Sequence, residues 1–267
     1  MPGEWLQLNL GLARGEGGAL GSARAVFAAL HGPLAAARRD GLTDLFFFQR
    51  KPPDLRLRIR GAPQRWPELR AALEPLGLGP RPAVLEIFES VYEPELHLFG
   101  GARGMEAVHR WMSEDTVAFL ALDQLYAAGR PIPAAEALFF ASIDEVFGRA
   151  IGDRSEIWDA YKRVEAALDP TLLPQDPLEP LHFSDLALPA QPELSAALTA
   201  WSAAHQALAA ALKDAWSAGA LTVGLRALLA QVALFSANRH GVAHSALARV
   251  VATGCAQWDP HRPRPPA

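Results

Sequence analysis

The sequence of 267 residues holds one cysteine, Cys255. A single cysteine excludes an intramolecular disulfide and any cysteine zinc cluster. The signatures of nucleotide sites are missing too: there is no Walker loop and no Gly-x-Gly-x-x-Gly after a strand. Nor is there a Gly-x-Ser-x-Gly elbow or a Cys-x-x-Cys pair. Nothing therefore implies a nucleotide, a redox cofactor or a resident metal. No stretch approaches a charge-free membrane span. The first ten residues lack the basic start and apolar run of a signal peptide, so the chain reads as cytoplasmic. The formal net charge of -4 gives no overall attraction to nucleic acid.

What is present suits a soluble globular protein: half the residues are hydrophobic and a fifth are charged. Trp5 to Leu10 alternates apolar and polar residues as a strand does. Ser22 could cap a helix to about Arg39, with Val26, Phe27, Leu30 and Leu34 at helical spacing. Leu45 to Gln49 reads as a short aromatic strand, and Leu55 to Arg60 alternates without a break. A helix from about Arg65 to Leu76 and a strand from Ala83 to Tyr92 follow. The order β-α-β-β-α-β predicts an α+β protein: a ferredoxin-like antiparallel sheet with two helices on one face. After Gly100-Gly101 the periodicity is helical. Segments around Met105–Leu122, Ala134–Phe147 and Ile157–Leu168 come first. A proline-rich connection over 170–192 and two long helices, Leu194 to Ser217 and Thr222 to Thr253, follow. The expected division is a ferredoxin-like part over 1–101, a helical part over 102–258 packed on it in one compact domain, and a disordered tail over 259–267.

Three groups of residues could carry chemistry. Arg56, Arg58 and Arg60 share one face of a strand, about 6.6 Å apart. Guanidinium groups so spaced could hold a carboxylate, a phosphate or an oxyanion, though the same stripe suits a solvated sheet face. Tyr92, Glu93, Glu95 and His97 put a phenol, two carboxylates and an imidazole near one strand end. Tyr92 or His97 could act as a general acid or base, or the segment could be an ordinary polar strand exit. Asn238, Arg239 and His240 interrupt an apolar helix and form either a structural network or a site wall. His109 borders the apolar face of its helix. His240 and His244, four apart, lack the carboxylate that would make them a zinc-protease site.

Assembled, these segments resemble the lantibiotic-dehydratase C-terminal family, which includes the thiopeptide-type bacteriocin biosynthesis proteins. Phe46-Phe47-Phe48-Gln49-Arg50 followed by Leu55-Arg56-Leu57-Arg58 is similar to that family's FFFIRY…HLRLR block. Tyr92-Glu93-Pro94-Glu95 through Phe99-Gly100-Gly101 and Met105 resembles its YxxExxRYGG…M block. Ser113-Glu114-Asp115-Thr116 and Asn238-Arg239-His240-Gly241 resemble its DS and NRxG elements.

The resemblance implies a cofactor-independent enzyme acting on a ribosomal precursor peptide with its leader, in a pathway with other biosynthetic enzymes. It does so as a monomer or homodimer, without nucleic acid or membrane. One branch of the family eliminates glutamate from glutamylated Ser or Thr. Another, the pyridine synthases, joins two dehydroalanines by a formal aza-cycloaddition. Eliminating members carry an arginine and a histidine where this chain has Leu98 and Leu234. Pyridine synthases share a YxPE…FGG pattern and act as small separate proteins. The resemblance thus points to a pyridine synthase. Tyr92, His97, Arg56 and Arg58 are then the candidate catalytic residues. Arg60, Glu95, His109, Asn238, Arg239 and His240 are candidates for holding substrate. A glutamate-eliminating lyase and a non-catalytic leader-binding protein are the alternatives.

Overall fold

The computed structural model describes residues 3–14, 18–73, 83–172, 176–182 and 191–262. Four strands and eight α-helices are found among them. The chain divides into two compact units.

The first unit comprises residues 1–94 and 112–130. Strand β1 (Glu4–Leu12) pairs antiparallel with β3 (Leu55–Gly61) on one side and β4 (Val84–Ser90) on the other. Strand β2 (Leu45–Gln49) completes the order β2-β3-β1-β4. This is the ferredoxin-like topology that the β-α-β-β-α-β pattern predicts. Alternation explains the core: Leu6, Leu8, Leu10, Phe46, Phe48, Leu55, Leu57 and Ile59 all point to one face. Helix α1 (Gly18–Arg39) covers that face with Ala23, Val26, Phe27, Leu30, Leu34 and Ala37, a stripe of three- and four-residue spacing. It begins at Gly18, four residues before Ser22. Gly41, at φ +67, ends the helix: the Leu42 amide reaches back to the Ala37 carbonyl at 2.8 Å. Helix α2 (Trp66–Leu73) adds Leu69 and Leu73 to the same core.

The second unit comprises residues 95–111 and 131–267. Residues 101–111 of α3 (Gly101–Ala127) count with it, and the remainder of that helix with the first unit. It is otherwise helical: α4 (Ala135–Ala150), α5 (Arg154–Glu165), α6 (Pro192–Ser217), α7 (Leu225–His240) and α8 (His244–Trp258). The helix expected over Thr222 to Thr253 is in fact two. Gly241 adopts φ +67, its amide bonds to the Asn238 carbonyl at 3.1 Å, and the chain leaves α7 there. His240 and His244 therefore do not share one helix face.

Residues 173–175 and 183–190 of the proline-rich connection, and 263–267 of the tail, lie outside the described residues. Before them, the Arg154 guanidinium donates to the carbonyls of Trp258, Asp259 and Arg262.

Two carboxylates, Asp144 buried and Glu145 half-buried, tie the helices together. Asp144 on α4 accepts from Tyr161 Oη (3.1 Å), Trp258 Nε1 (2.6 Å) and Gln257 Nε2 (3.2 Å), joining α4 to α5 and α8. Burial raises its pKa against the pull of these donors.

Glu145 accepts at 2.6 Å from His205 Nδ1 on α6, at 2.7 Å from Ser202 and at 2.8 Å from Arg149. Burial alone would raise its pKa, but these hydrogen bonds outweigh burial and hold it at about 2. A carboxylate whose folded pKa lies below its unfolded value stabilises the fold above the unfolded pKa. That stability is lost as pH falls through the folded value. From 4.5 down to about 2, the contribution is about 3 kcal/mol. Glu145→Gln should accordingly melt lower than wild type at pH 7, and the gap should close between about pH 4.5 and 2. Thermal melts at pH 7, 5 and 3 check this, and a gap that stays constant with pH contradicts it.

Candidate functional site

The face of the sheet turned away from α1 and α2 is polar, and much of it is buried. Register sets its rows. Ser90, Gln7, Arg58 and Phe47 are successive cross-strand neighbours on β4, β1, β3 and β2. Phe88, Asn9, Arg56 and Gln49 form the next row. A third row holds Trp5, Arg60 and Leu45.

Arg58 is the centre of this surface. It is 3% exposed, and its Nε donates to Gln7 Oε1 at 2.9 Å. Its guanidinium lies 4.2 Å from the ring centroid of Tyr92 and 5.4 Å from that of Phe47. The Trp5 ring meets Tyr92 edge-on at 5.2 Å and Phe47 at 5.5 Å, bracing the two rings that flank the cation. Gln7 Nε2 in turn donates to Ser90 Oγ at 2.6 Å, and Asn9 Nδ2 donates to the same oxygen at 2.8 Å. Gln7 is thereby locked with its carbonyl toward Arg58. A guanidinium held this way loses little freedom when it meets an oxyanion or carboxylate.

The three arginines are not equivalent. Arg60 Nε and Nη2 close on the Asp44 carboxylate at 2.6–3.1 Å. That pair matches a fork to a carboxylate and satisfies the guanidinium from within the protein. Arg56 is half-buried and gives its Nε to the Pro52 carbonyl at 3.0 Å.

Tyr92 is buried just beyond β4, beside Arg58. Two of the four expected catalytic residues are thus in contact, and Arg56 lies one row away. Glu95 and His97 belong to the second unit. The Glu95 carbonyl accepts from the amides of Leu98 and Phe99, and His97 is exposed in that turn.

The remaining expected residues also lie in the second unit. His109 is buried on α3. Arg239 on α7 is wholly buried, its guanidinium 5.4 Å over the Trp111 ring. His240 stacks on Trp201 at 5.4 Å with the rings 9° from parallel, and Phe139 flanks it at 5.7 Å. Asn238 is exposed on the same last turn of α7.

Another constellation escaped sequence reading. Ser142 Oγ meets His205 Nε2 at 3.1 Å, and His205 Nδ1 meets Glu145 at 2.6 Å. The order is that of nucleophile, base and orienting acid. Ser142 and His205 are both 0% exposed, and they bond to each other and to Glu145 within the packed helices. The cluster pins α4 to α6. Among the described residues no three His, Cys, Asp or Glu side chains could together hold a metal ion. No described helix is long and apolar enough to cross a membrane.

Residues 20–254 match the family described as lantibiotic biosynthesis dehydratase C-term. The chain belongs to that family. Among solved structures, the tRNA-dependent lantibiotic dehydratase MibB from Microbispora sp. 107891 is similar, with a TM-score of 0.68 and 19% identity. The likeness covers 95% of this chain and 28% of MibB, and at that identity it shows the fold. No curated protein matches.

For this family member, the polar rows extend the arginine stripe by residues that alternation alone had read as strand. Gln7 and Asn9 carried a usable signal, since polar residues alternate with leucine in β1. Asp44 carried none, because its role depends on pairing Leu45 with Arg60.

Proposed function

We propose that this dehydratase-family protein is a pyridine synthase that closes a peptide macrocycle from two dehydroalanines. The observation that carries the reading is Leu98 with Leu234, both half-buried, where eliminating members carry an arginine and a histidine. Leucine neither moves a proton nor holds a carboxylate, so glutamate elimination loses two of its parts.

The proposed reaction needs no oxidant. One peptide amide passes to its imidic-acid tautomer, giving a 2-azadiene. Cycloaddition to the second dehydroalanine forms two ring bonds. Loss of water and then of the leader as a carboxamide supplies the remaining unsaturation of the pyridine. Holding both ends of one peptide together supplies much of the acceleration. Arg58, with Arg56 beside it, stabilises the oxygen of the tautomerising amide. Tyr92 and His97 are the proton-transfer groups. Asn238 and Arg239 orient the substrate backbone, with Glu95, His109 and His240 as further contacts. Arg60 acts through Asp44 and the framework of the face.

Tyr92→Phe keeps the ring packed against Trp5 and Phe47 and removes the hydroxyl. It should lower turnover roughly 100-fold while the melting temperature stays near wild type. Full activity removes Tyr92 from the proton-transfer role.

A second reading has one observation in its favour. β4 is an edge strand, and Leu85, Ile87, Phe88 and Val91 on and beside it are exposed. Such an edge could take a leader peptide as an added strand. Incubation of the purified protein with a precursor bearing two dehydroalanines separates the readings. Pyridine absorbance and a released leader carboxamide support the synthase. A peptide that binds and keeps its mass supports presentation alone.

A further inference from the structure

Gln49 closes β2 with its side chain 0% exposed, and neither Oε1 nor Nε2 has a hydrogen-bond partner among the described residues. A buried amide open at both ends is costly, and an apolar side chain of that size would be cheaper. Phe46 and Phe48 turn to the helix-covered core, so alternation puts Gln49 on the polar face.

Register sets Gln49 directly opposite Arg56, and Arg56 opposite Asn9. Asn9 is filled by Ser90 and the Phe88 carbonyl. Arg56 gives its Nε to Pro52, and no bond from its Nη atoms is found among the described residues. The row thus runs from a satisfied amide, through a half-engaged guanidinium, to an amide with a donor and an acceptor both open. It ends at β2, the outer strand of the sheet.

We propose that Gln49 and Arg56 form a subsite for the extended peptide backbone flanking the reacting residues. Gln49 Nε2 donates to a peptide carbonyl, Oε1 accepts from a peptide N–H, and the Arg56 Nη groups take a neighbouring carbonyl. An uncharged amide suits this role because it matches the donor and acceptor character of a peptide unit. It also leaves no buried charge when the subsite is empty. The assignment rests on the reading that a precursor peptide is the substrate.

The test measures two quantities on Gln49→Ile, a β-branched apolar replacement suited to a strand. Gln49→Met, unbranched and of similar length, repeats the measurement in case branching disturbs β2. The probe is a fluorescein-labelled precursor peptide carrying two dehydroalanines, followed by anisotropy. Removing an unpaired buried amide should raise the melting temperature by roughly 3 °C. Losing its two substrate bonds should weaken Kd about tenfold and raise KM more than it lowers kcat. Wild-type protein that binds no peptide overturns the substrate reading and this subsite with it. Wild-type binding with an unchanged Kd in both variants overturns the subsite alone. A lower melting temperature in both variants also overturns it, because the amide would then be bonded within the fold.

Discussion

Arg58→Met is expected to leave a folded protein whose kcat has fallen about 1,000-fold, the size of loss seen when a preorganised oxyanion donor is removed. The basis is geometric. Arg58 is buried on the polar sheet face, aimed by Gln7 and walled by Tyr92 and Phe47. Methionine fills much of the same volume against those rings but carries no donor. Losing the guanidinium leaves the carbonyl of buried Gln7 without its donor, a cost of about 1–3 kcal/mol, so the melting temperature should fall by several degrees while the protein stays folded. Arg58→Lys keeps the charge and loses the planar fork, and should still cost about 100-fold. Arg60→Met provides the contrast. Its partner is Asp44, so its effect should fall on stability before turnover. Equal kcat losses at positions 58 and 60 would mean that the stripe acts only through net charge.

Gly254→Ala is expected to cost roughly 3 kcal/mol, a fall of about 8 °C in melting temperature. A Cβ at residue 254 would stand 2.3 Å from two ring carbons of Tyr161. The ring cannot swing aside cheaply. It is 1% exposed, packs edge-on against Phe147 at 4.9 Å, and its hydroxyl is tied to Asp144. Helix α8 would have to move away from α5 instead, lengthening the Trp258 bond to the same carboxylate. Differential scanning calorimetry reads the shift. The double variant Gly254→Ala, Tyr161→Leu should recover part of it, because the clash is removed with the ring.

The sheet was legible because period-two alternation is local: Leu55, Leu57 and Ile59 against Arg56, Arg58 and Arg60 state both the strand and its two faces. What each arginine does was not legible. Asp44 engages Arg60, and Gln7, 51 positions away in sequence, engages Arg58. Both depend on strand register. The break at Gly241 was missed because apolar periodicity runs through it, whereas the His-Gly-Val segment held the signal for a left-handed cap. The Ser142–His205 contact spans 63 positions between two Ala/Leu-rich helices, where nothing local marks either residue. The family blocks, in contrast, are short and ordered along the chain. They single out both Tyr92 and Arg58, which the sheet then brings 4.2 Å apart.

The most direct measurement mixes the purified protein with two peptides in one tube and follows both by mass. One is the precursor carrying two dehydroalanines. The other is the same precursor with its serines glutamylated. A pyridine synthase consumes the first, yielding an intact leader carboxamide and a macrocycle lighter by that carboxamide and one water, while the second persists. Loss of glutamate from the second peptide, with the first unchanged, would contradict the synthase reading and establish elimination despite Leu98 and Leu234.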